Sequence, residues 1–391
     1  MKTIQLFAFL ILSTSFITSC SEESDYTPIN ASSILNLPEA PYNYTDINIP
    51  NHLSNNVLMG MGQNAAIDND NTPTTNPTTN EGATLGRVLF YDKNLSTNGT
   101  IACASCHIQA EGFSDSRVLS IGFDIASTRR HSMSLINARW YARGRFFWDE
   151  RAATLEEQVL EPFQDPVEMG MTLAEVVTNV QNQEFYPQLF TNAFGTEEIT
   201  SDKISKALSQ FIRSIVSVSS KYDTGRATVN IPNTNFANFT PSENNGKSLF
   251  FRPKAAGGLS CIGCHSTEAF INPSAGATNN GLDLVSTDDL GVFEAIANPQ
   301  FLGAFKVPSL KNIELTAPYM HDGRFATLQE VVEHYNSGVQ DHPNLSNSLK
   351  DPNGMPQRLN LTDQQITDVV NFLKTLTDTD ITADPKFSDP F

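Results

Sequence analysis

Two short motifs in the sequence combine residue types that bind metals and prosthetic groups. Two thiols three positions apart can add across the two vinyl groups of a haem, and a histidine directly after them can then bind the iron. A zinc ribbon would need two further cysteines near each pair, and the sequence has only one other cysteine, Cys20. We therefore predict two covalently attached haem c groups, one at each C-x-x-C-H motif: Cys103, Cys106 and His107, then Cys261, Cys264 and His265.

The segments around the two motifs repeat, which indicates how the motifs are positioned. Residues 86–91 (GRVLFY) and 246–251 (GKSLFF) begin 17 and 15 residues before the first cysteine of each motif. Each half then ends in an apolar stripe with helical spacing. A haem loop between two packed helices is the layout of a cytochrome c, so we predict a mainly all-α chain: two cytochrome c-like helical domains with long irregular loops, each carrying one covalent haem c. The two stripes are matched as Ile204, Ala207, Leu208 and Phe211 against Ile366, Val369, Val370 and Leu373.

Charge and the N-terminal segment limit the partners and the location. The 391 residues carry a net charge of -18, and such an acidic surface repels the phosphates of nucleic acids, so we expect no nucleic-acid binding. Residues 1–20 have a basic start and an apolar stretch too short to span a bilayer, and they end in ITSC, which resembles a bacterial lipobox. We expect an exported periplasmic or cell-surface lipoprotein, held at the outer membrane by lipid on Cys20. An ordinary secretory signal remains the alternative.

The same patterns suggest domain boundaries. After a signal peptide over 1–20, residues 21–45 are expected to be a tether. Residues 221–240 are rich in Asn, Thr and Pro, which is typical of a connection between domains. We therefore expect a first haem domain over 46–235 and a second over 236–391.

Three further stretches resemble the bacterial dihaem cytochrome c peroxidase and MauG family. They are FFWDERA at 146–152, DPVEM at 165–169 with Gln158 upstream, and FKVPSL to HDG over 305–323. The resemblance covers most of residues 80–377. It implies that the first haem meets hydrogen peroxide, and that the second accepts electrons from a small donor protein, a cytochrome c or a cupredoxin. It implies reduction of peroxide to water, and it is compatible with a homodimer.

The resemblance also assigns roles to individual residues. Glu168 matches the carboxylate that moves a proton between the two peroxide oxygens, with Asp165 as the nearest competitor. Gln158 matches the amide that orients peroxide or its water. Trp148 stands at the position between the haems, where an aromatic ring shortens the electron's path.

The loop after the first haem departs from the family pattern. Phe123 stands where the family has a distal histidine, so we expect a first haem that reacts without reductive activation, with His131 as the alternative ligand. His131 itself replaces an asparagine of the family's calcium site. Thr316 and Pro318 match the carbonyl ligands of that site, so the resemblance predicts one bound Ca²⁺. The histidine in place of the asparagine argues against this calcium.

The second haem departs as well. Alignment with the family places Tyr335 at the position of the distal methionine, as in MauG, while His334, Met320 and Met355 remain alternatives. His321 is expected to make a hydrogen bond rather than to bind iron. Tyr335 favours a second hypothesis, a MauG-like enzyme that oxidises a protein or organic substrate. A dihaem electron carrier without catalysis is the third.

Overall fold

The protein's structure, a computed structural model, describes residues 34–54, 65–271 and 276–391. The signal segment and Cys20 lie outside these residues. The predicted helical character is confirmed, and β-pairing in the described ranges is limited to isolated bridges. Four single turns of helix lie at Asn51–Ser54, Leu155–Gln158, Glu161–Gln164 and Phe293–Ile296. The longer helices are α1 (Asn80–Tyr91), α2 (Leu173–Gln181), α3 (Tyr186–Phe194), α4 (Ser201–Ser214), α5 (Lys221–Arg226), α6 (Pro241–Phe251), α7 (Leu328–Glu333) and α8 (Asp363–Lys374).

Local sequence explains where the helices that flank the second haem begin. Helix α6 starts with Thr240 as its N-cap and Pro241 in its first turn, and the side chains of Thr240 and Glu243 each accept a backbone N–H of the other residue. Helix α7 has the same capping box, formed by Thr327 and Glu330. These boxes satisfy backbone donors that no helical partner can reach, and so they set the start of each helix.

Each haem unit is built on one close helix crossing at a glycine. Helix α1 packs on α4, and α6 packs on α8. A Cβ added to Gly86 would lie 2.0 Å from the backbone oxygen of Ala207, and one added to Gly246 would lie 1.9 Å from that of Asp368. Because nothing larger than hydrogen fits at either crossing, the two glycines of the sequence repeat are required for the helices to approach this closely.

These crossings correct the predicted alignment of the two halves. The predicted stripes are buried apart from the half-buried Val370, but the match of Phe211 with Leu373 is wrong by one residue. Phe211 faces Gly86 in the way that Phe372 faces Gly246. The apolar pattern misled the alignment because polar Asp368 lies at the second crossing.

An equivalent trio of phenylalanine rings fills the centre of each unit. In the first unit the Phe90 ring lies 5.2 Å from Phe211 and 6.3 Å from Phe113, centroid to centroid. In the second, Phe250, Phe372 and Phe270 repeat this arrangement at 5.2 and 5.7 Å. Aromatic pairs at such distances add to the stability gained by burying their area. The cores therefore repeat as the sequence does.

The N-terminal part of the described chain packs on the first unit. Leu35 is 2% exposed and Tyr44 is 1% exposed, and both belong to the first hydrophobic core. The predicted tether over 21–45 is therefore wrong for its last part, because residues 34–45 bury apolar side chains instead of forming a free spacer. Among the described residues, no helix has both the length and the apolar character needed to cross a membrane.

The C-terminal segment also packs on the first unit, although it follows the second in sequence. Phe387 is buried in the first core. The hydroxyl of Tyr91 donates to the carbonyl of Phe387 at 2.7 Å, and the guanidinium of Arg87 donates to that of Pro385 at 2.8 Å. Residues 381–391 thus link the second unit to the first. The expected second domain over 236–391 is therefore too long at its C-terminal end, because these last residues pack on the first unit.

Candidate active site

Each haem-attachment motif lies on a single 3-10 turn after the first helix of its unit. The turns span Cys103–Ser105 and Cys261–Gly263. The backbone N–H of His107 donates to the carbonyl of Cys103 at 3.0 Å, and the equivalent bond closes the second motif. The four cysteines are half-buried and none forms a disulfide. Both motifs therefore present free thiols beside a histidine, as haem attachment requires.

A backbone carbonyl orients each of the two histidines. His107 Nδ1 lies 3.0 Å from the carbonyl of Phe113, and His265 Nδ1 lies 3.3 Å from that of Phe270. Phe113 and Phe270 have positive φ angles of 56° and 55°, and this unusual backbone belongs to both units. A carbonyl only accepts, so Nδ1 carries the proton and Nε2 keeps its lone pair for iron. Burial lowers the pKa of both imidazoles, to about 4 for His265, and keeps them neutral.

A cavity of about 890 Å³ adjoins the first motif. It brings together the two thiols and the imidazole that a covalent haem requires. The first haem therefore fits here, held by Cys103, Cys106 and His107. Its wall also contains the three residues to which the family resemblance assigns catalysis and electron transfer, Gln158, Glu168 and Trp148.

Two carboxylates on the cavity wall differ in what they bind. Asp165 Oδ1 accepts the backbone N–H groups of Val167 at 2.8 Å and Glu168 at 3.1 Å, so Asp165 shapes the loop. The half-buried Glu168 carboxylate makes no hydrogen bond or ion pair with another described residue. Burial raises the pKa of Glu168 to about 7, the charge of Asp165 adds to this, and Arg151 opposes it. Glu168 is thus the carboxylate that is free to exchange a proton near neutral pH.

Gln158 reaches the cavity from a single helical turn. Thr154 caps this turn by accepting the backbone N–H of Glu157 at 3.1 Å, and Gln158 is its last residue. Gln158, Glu168 and His107 therefore face one cavity from three separate segments.

Phe123 supports the Glu168 loop from behind. Its backbone N–H donates to the carbonyl of Glu168 at 3.1 Å. Its ring packs on Gly170, where an added Cβ would lie 2.5 Å from a ring carbon. Phe123 is not one of the described residues that line the cavity. The loop predicted to lack a distal histidine thus positions the catalytic candidate.

The imidazole of His131 uses both nitrogens for contacts within the protein. Nδ1 lies 3.2 Å from each of two carbonyls at 117–118, and Nε2 lies 3.3 Å from Ser114 Oγ. The carbonyl of Thr316, an expected calcium ligand, also faces this ring. In the described part of the chain, no group of three or more His, Cys, Asp or Glu side chains could hold a metal ion. Calcium at Thr316 and Pro318 stays a prediction.

Trp148 stands at one end of a row of three rings. Its Nε1–H donates to the carbonyl of His131 at 2.7 Å. Its ring lies 6.5 Å from that of His321, which stacks on Phe305 at 3.7 Å with 13° between the planes. The row leads from the wall of the first cavity into the second unit.

The candidate distal ligands of the second haem lie around Asn280. The amide nitrogen of Asn280 lies 3.5 Å from the Tyr335 hydroxyl and 3.5 Å from the sulfur of Met320. Tyr335 follows α7 in a π-helical turn, His334–Gly338. Burial raises the pKa of Tyr335 to about 12, with a smaller contribution from the thiols of the second motif. Tyr335 is therefore a buried phenol close enough to the attachment cysteines of the second motif for their charges to act on it.

His334 and Met355 are placed less favourably as ligands of the second haem. His334 is buried, and its Nε2 lies 3.1 Å from the carbonyl of Asn280. Met355 is exposed. The structure thus brings Tyr335 and Met320 together, and the identity of the ligand stays a prediction.

Comparison with known proteins connects this geometry to a family. Residues 80–228 match the model of the di-haem cytochrome c peroxidase family, and residues 244–377 match that of cytochrome c. The chain is 33% identical over 306 residues to the methylamine utilization protein MauG of Methylophilus methylotrophus, which covers 78% of this chain and 84% of that one. The chain belongs to the dihaem cytochrome c peroxidase and MauG family.

Two further matches describe this dihaem family member. It is 34% identical over 266 residues to the cytochrome c551 peroxidase of Nitrosomonas europaea, covering 64% of this chain and 71% of that one. The solved structure of a MauG-like protein associated with microbial copper homeostasis superposes with a TM-score of 0.72 at 33% identity, over 84% of this chain and 99% of that one. The two-unit fold, two covalent haem c groups and the class of haem oxidoreductases acting on peroxide are confirmed.

The charged groups that join the two units beside the cavity of this dihaem protein were not predicted from the sequence. Arg130 lines the cavity and binds the carboxylates of Asp149 at 2.6 Å and Asp289 at 2.7 Å. Its neighbour Arg129 binds Glu294 at 2.6 Å. The two adjacent arginines were the one feature of this acidic sequence that could have indicated such ion pairs. Their partners in the second unit lie about 160 residues later, so spacing alone did not reveal them.

Proposed function

We propose that this chain reduces hydrogen peroxide to two molecules of water, consuming two protons and two electrons. The electrons would come from a small soluble redox protein, a cytochrome c or a cupredoxin. Cys103, Cys106 and His107 would hold the haem, whose iron would supply the site for peroxide and for cleavage of the O–O bond. The observation that carries the proposal is an unpaired carboxylate, Glu168, on the wall of the same cavity, whose pKa burial raises to about 7.

The residues on the wall divide the proton transfer between them. Glu168 with a pKa of about 7 can take the proton from one peroxide oxygen and return it to the other, which then leaves as water. The Gln158 amide can donate a hydrogen bond that orients peroxide. Asp165 holds the Glu168 backbone, so the carboxylate stays at the cavity.

Electrons would reach the first cavity through the second unit. The row of Trp148, His321 and Phe305 supports a path between the units, because closely spaced rings allow short hops. The net charge of -18 favours a donor with a basic face, which electrostatic attraction would steer to the surface.

We also propose that the first haem reacts without prior reduction of the second. An enzyme that needs reductive activation must release a ligand from the distal side of the haem. His131, the alternative ligand, contacts protein atoms through both ring nitrogens, and Phe123 packs behind the Glu168 loop.

A MauG-like oxidation of a protein or organic substrate is the second candidate. It is favoured by Tyr335, a buried phenol whose hydroxyl lies 3.5 Å from the amide nitrogen of Asn280 and which the family resemblance places at the distal position. A phenolate is an anionic ligand that would stabilise ferric iron, so the second haem would be a poor reserve of electrons. A pure electron carrier would leave the Glu168 cavity without a role.

Spectroscopy and turnover of the oxidised holoprotein distinguish the three hypotheses. The peroxidase hypothesis predicts one high-spin and one low-spin ferric signal by electron paramagnetic resonance, and peroxide consumption coupled to oxidation of a reduced cytochrome c or cupredoxin. Reaction with peroxide but no turnover with either donor would favour the MauG-like enzyme. Two low-spin signals and no reaction with peroxide would leave the carrier.

Three finer proposals concern location and assembly. We propose that the protein is exported and anchored by lipid at Cys20. Replacing this residue (Cys20→Ala) should therefore release the protein from the membrane fraction of the native host. Calcium at Thr316 and Pro318 and a homodimer stay predictions. Sedimentation of the holoprotein before and after chelation, with metal analysis of each sample, tests both.

A further inference from the structure

The wall of the first cavity contains a buried cation that peroxide chemistry does not account for. Lys306 is 5% exposed and lines the cavity. Its ammonium donates one hydrogen bond, to the carbonyl of Arg145 at 2.9 Å. It lies 3.2 Å from the centroid of the Tyr141 ring, which is a cation–π contact. Among the described residues, no carboxylate lies within 4 Å of this nitrogen, and Glu150, which attracts its charge from farther away, is paired with Arg143.

The other cations on this wall are neutralised. They are three arginines, and each has a carboxylate partner within 3 Å: Arg129 with Glu294, Arg130 with Asp149, and Arg151 with Glu161. A buried ammonium without an anion is costly, and burial lowers the pKa of Lys306 to about 7. Among the described Lys and Arg side chains on this wall, Lys306 is therefore the one without a carboxylate partner within 4 Å.

The cofactor of this cavity supplies such an anion. Haem c carries two propionate groups at the edge of the ring away from its vinyl positions, and the vinyl positions are tied to the thiols of Cys103 and Cys106. The atoms around the Lys306 ammonium belong to residues 141–146, not to the attachment turn. We propose that Lys306 binds a propionate of the haem held by His107.

The backbone of Lys306 gives this contact a second consequence. Its N–H donates to the carbonyl of Trp148 at 2.8 Å. One residue would therefore fix both the propionate edge of the haem and the tryptophan between the units. The ring would be held at two edges, by thioethers at one and by a charge-assisted hydrogen bond at the other. This inference requires haem attachment and does not depend on which substrate is oxidised.

The test replaces the ammonium in the holoprotein by an apolar chain of similar length. In Lys306→Met, we expect the resonance Raman band of the propionate bending vibration to shift, because the carboxylate loses its donor. At pH 8 the ionised propionate would keep the ammonium protonated, so loss of that positive charge in the variant should stabilise ferric iron. The ratio of reduced to oxidised first haem at a fixed potential should fall by about tenfold, which is about 59 mV for one electron. Lys306→Arg should restore both readouts.

Lys247 offers a matched control. Its ammonium is also buried, donates to the carbonyl of Pro232 at 2.7 Å, and lies 3.5 Å from the centroid of the Phe236 ring, but it does not line this cavity. Lys247→Met should lower thermal stability and leave the propionate band and the potential unchanged. If Lys306→Met assembles poorly, Lys306→Gln, which keeps a donor without the charge, should shift the potential alone. A wild-type band and potential in the Met and Gln variants would overturn the proposal and leave Lys306 as a support for Tyr141.

Discussion

Asp165 acts on Glu168 in two ways. Its Oδ1 accepts the backbone N–H of Glu168 at 3.1 Å, which holds the loop at the cavity. Its negative charge adds to burial in raising the pKa of the Glu168 carboxyl to about 7. One carboxylate therefore positions the proton-transfer group and also adjusts its affinity for the proton.

Replacing Asp165 by asparagine separates these two effects. Asp165→Asn keeps an oxygen that can accept the backbone N–H but removes the charge, so the pKa of Glu168 should fall. Peroxide must lose a proton to an ionised Glu168, so the rate of reaction with peroxide should begin to rise at a lower pH than in the wild type. Stopped-flow rates from pH 5 to 8 measure this. An acid limb at the wild-type pH would show that the charge of Asp165 does not reach Glu168.

Tyr335 makes a prediction about the second haem. In Tyr335→Phe the phenol oxygen is lost, so the low-spin ferric signal of this haem should change, and its reduction potential should rise because an anionic ligand is removed. Electron paramagnetic resonance and a redox titration measure the two effects. His334→Gln is the matched control from the same turn, since its side chain can still bond to the carbonyl of Asn280. If the His334 variant changes the spectrum and the Tyr335 variant does not, the ligand has been assigned to the wrong neighbour.

The helix crossing at Gly246 makes a prediction about stability. In Gly246→Ala the new Cβ would lie 1.9 Å from the backbone oxygen of Asp368, so α6 and α8 must move apart. Overpacking of this kind costs about 1–3 kcal/mol or more in the free energy of unfolding. Thermal unfolding of the holoprotein should show a lower midpoint, whereas Asn245→Ala at the neighbouring exposed position should not lower it. Equal midpoints for the two variants would show that the crossing adapts without cost.

The features that could be predicted from the sequence are those that depend only on residues close together in the chain. The haem-attachment residues were predictable because the motif needs only neighbouring positions. Capping boxes such as Thr240 with Glu243 were predictable for the same reason. The helix alignment was wrong by one residue because Asp368 is polar at a buried crossing, where the apolar pattern has no signal.

Contacts between distant segments could not be predicted in this way. Residues 381–391 bind the first unit largely through their backbone carbonyls, which every sequence has. The unpaired charge of Lys306 depends on Tyr141 and Arg145, which are about 160 positions away in the chain. The family resemblance supplied the roles of Glu168, Gln158 and Trp148, and these roles stay predictions.

The most direct test of the account is the rate at which the Glu168→Gln holoprotein reacts with peroxide in a stopped-flow experiment. Loss of the proton-transfer group should slow this step by about 10²-fold or more. The fold should not suffer, because above pH 7 the wild type carries a buried charge there and glutamine removes it. Glu294→Gln, at a carboxylate on the same wall that is paired with Arg129, is the control and should react at close to the wild-type rate. A Glu168→Gln rate within about threefold of the wild type would contradict the central claim that this carboxylate moves the proton.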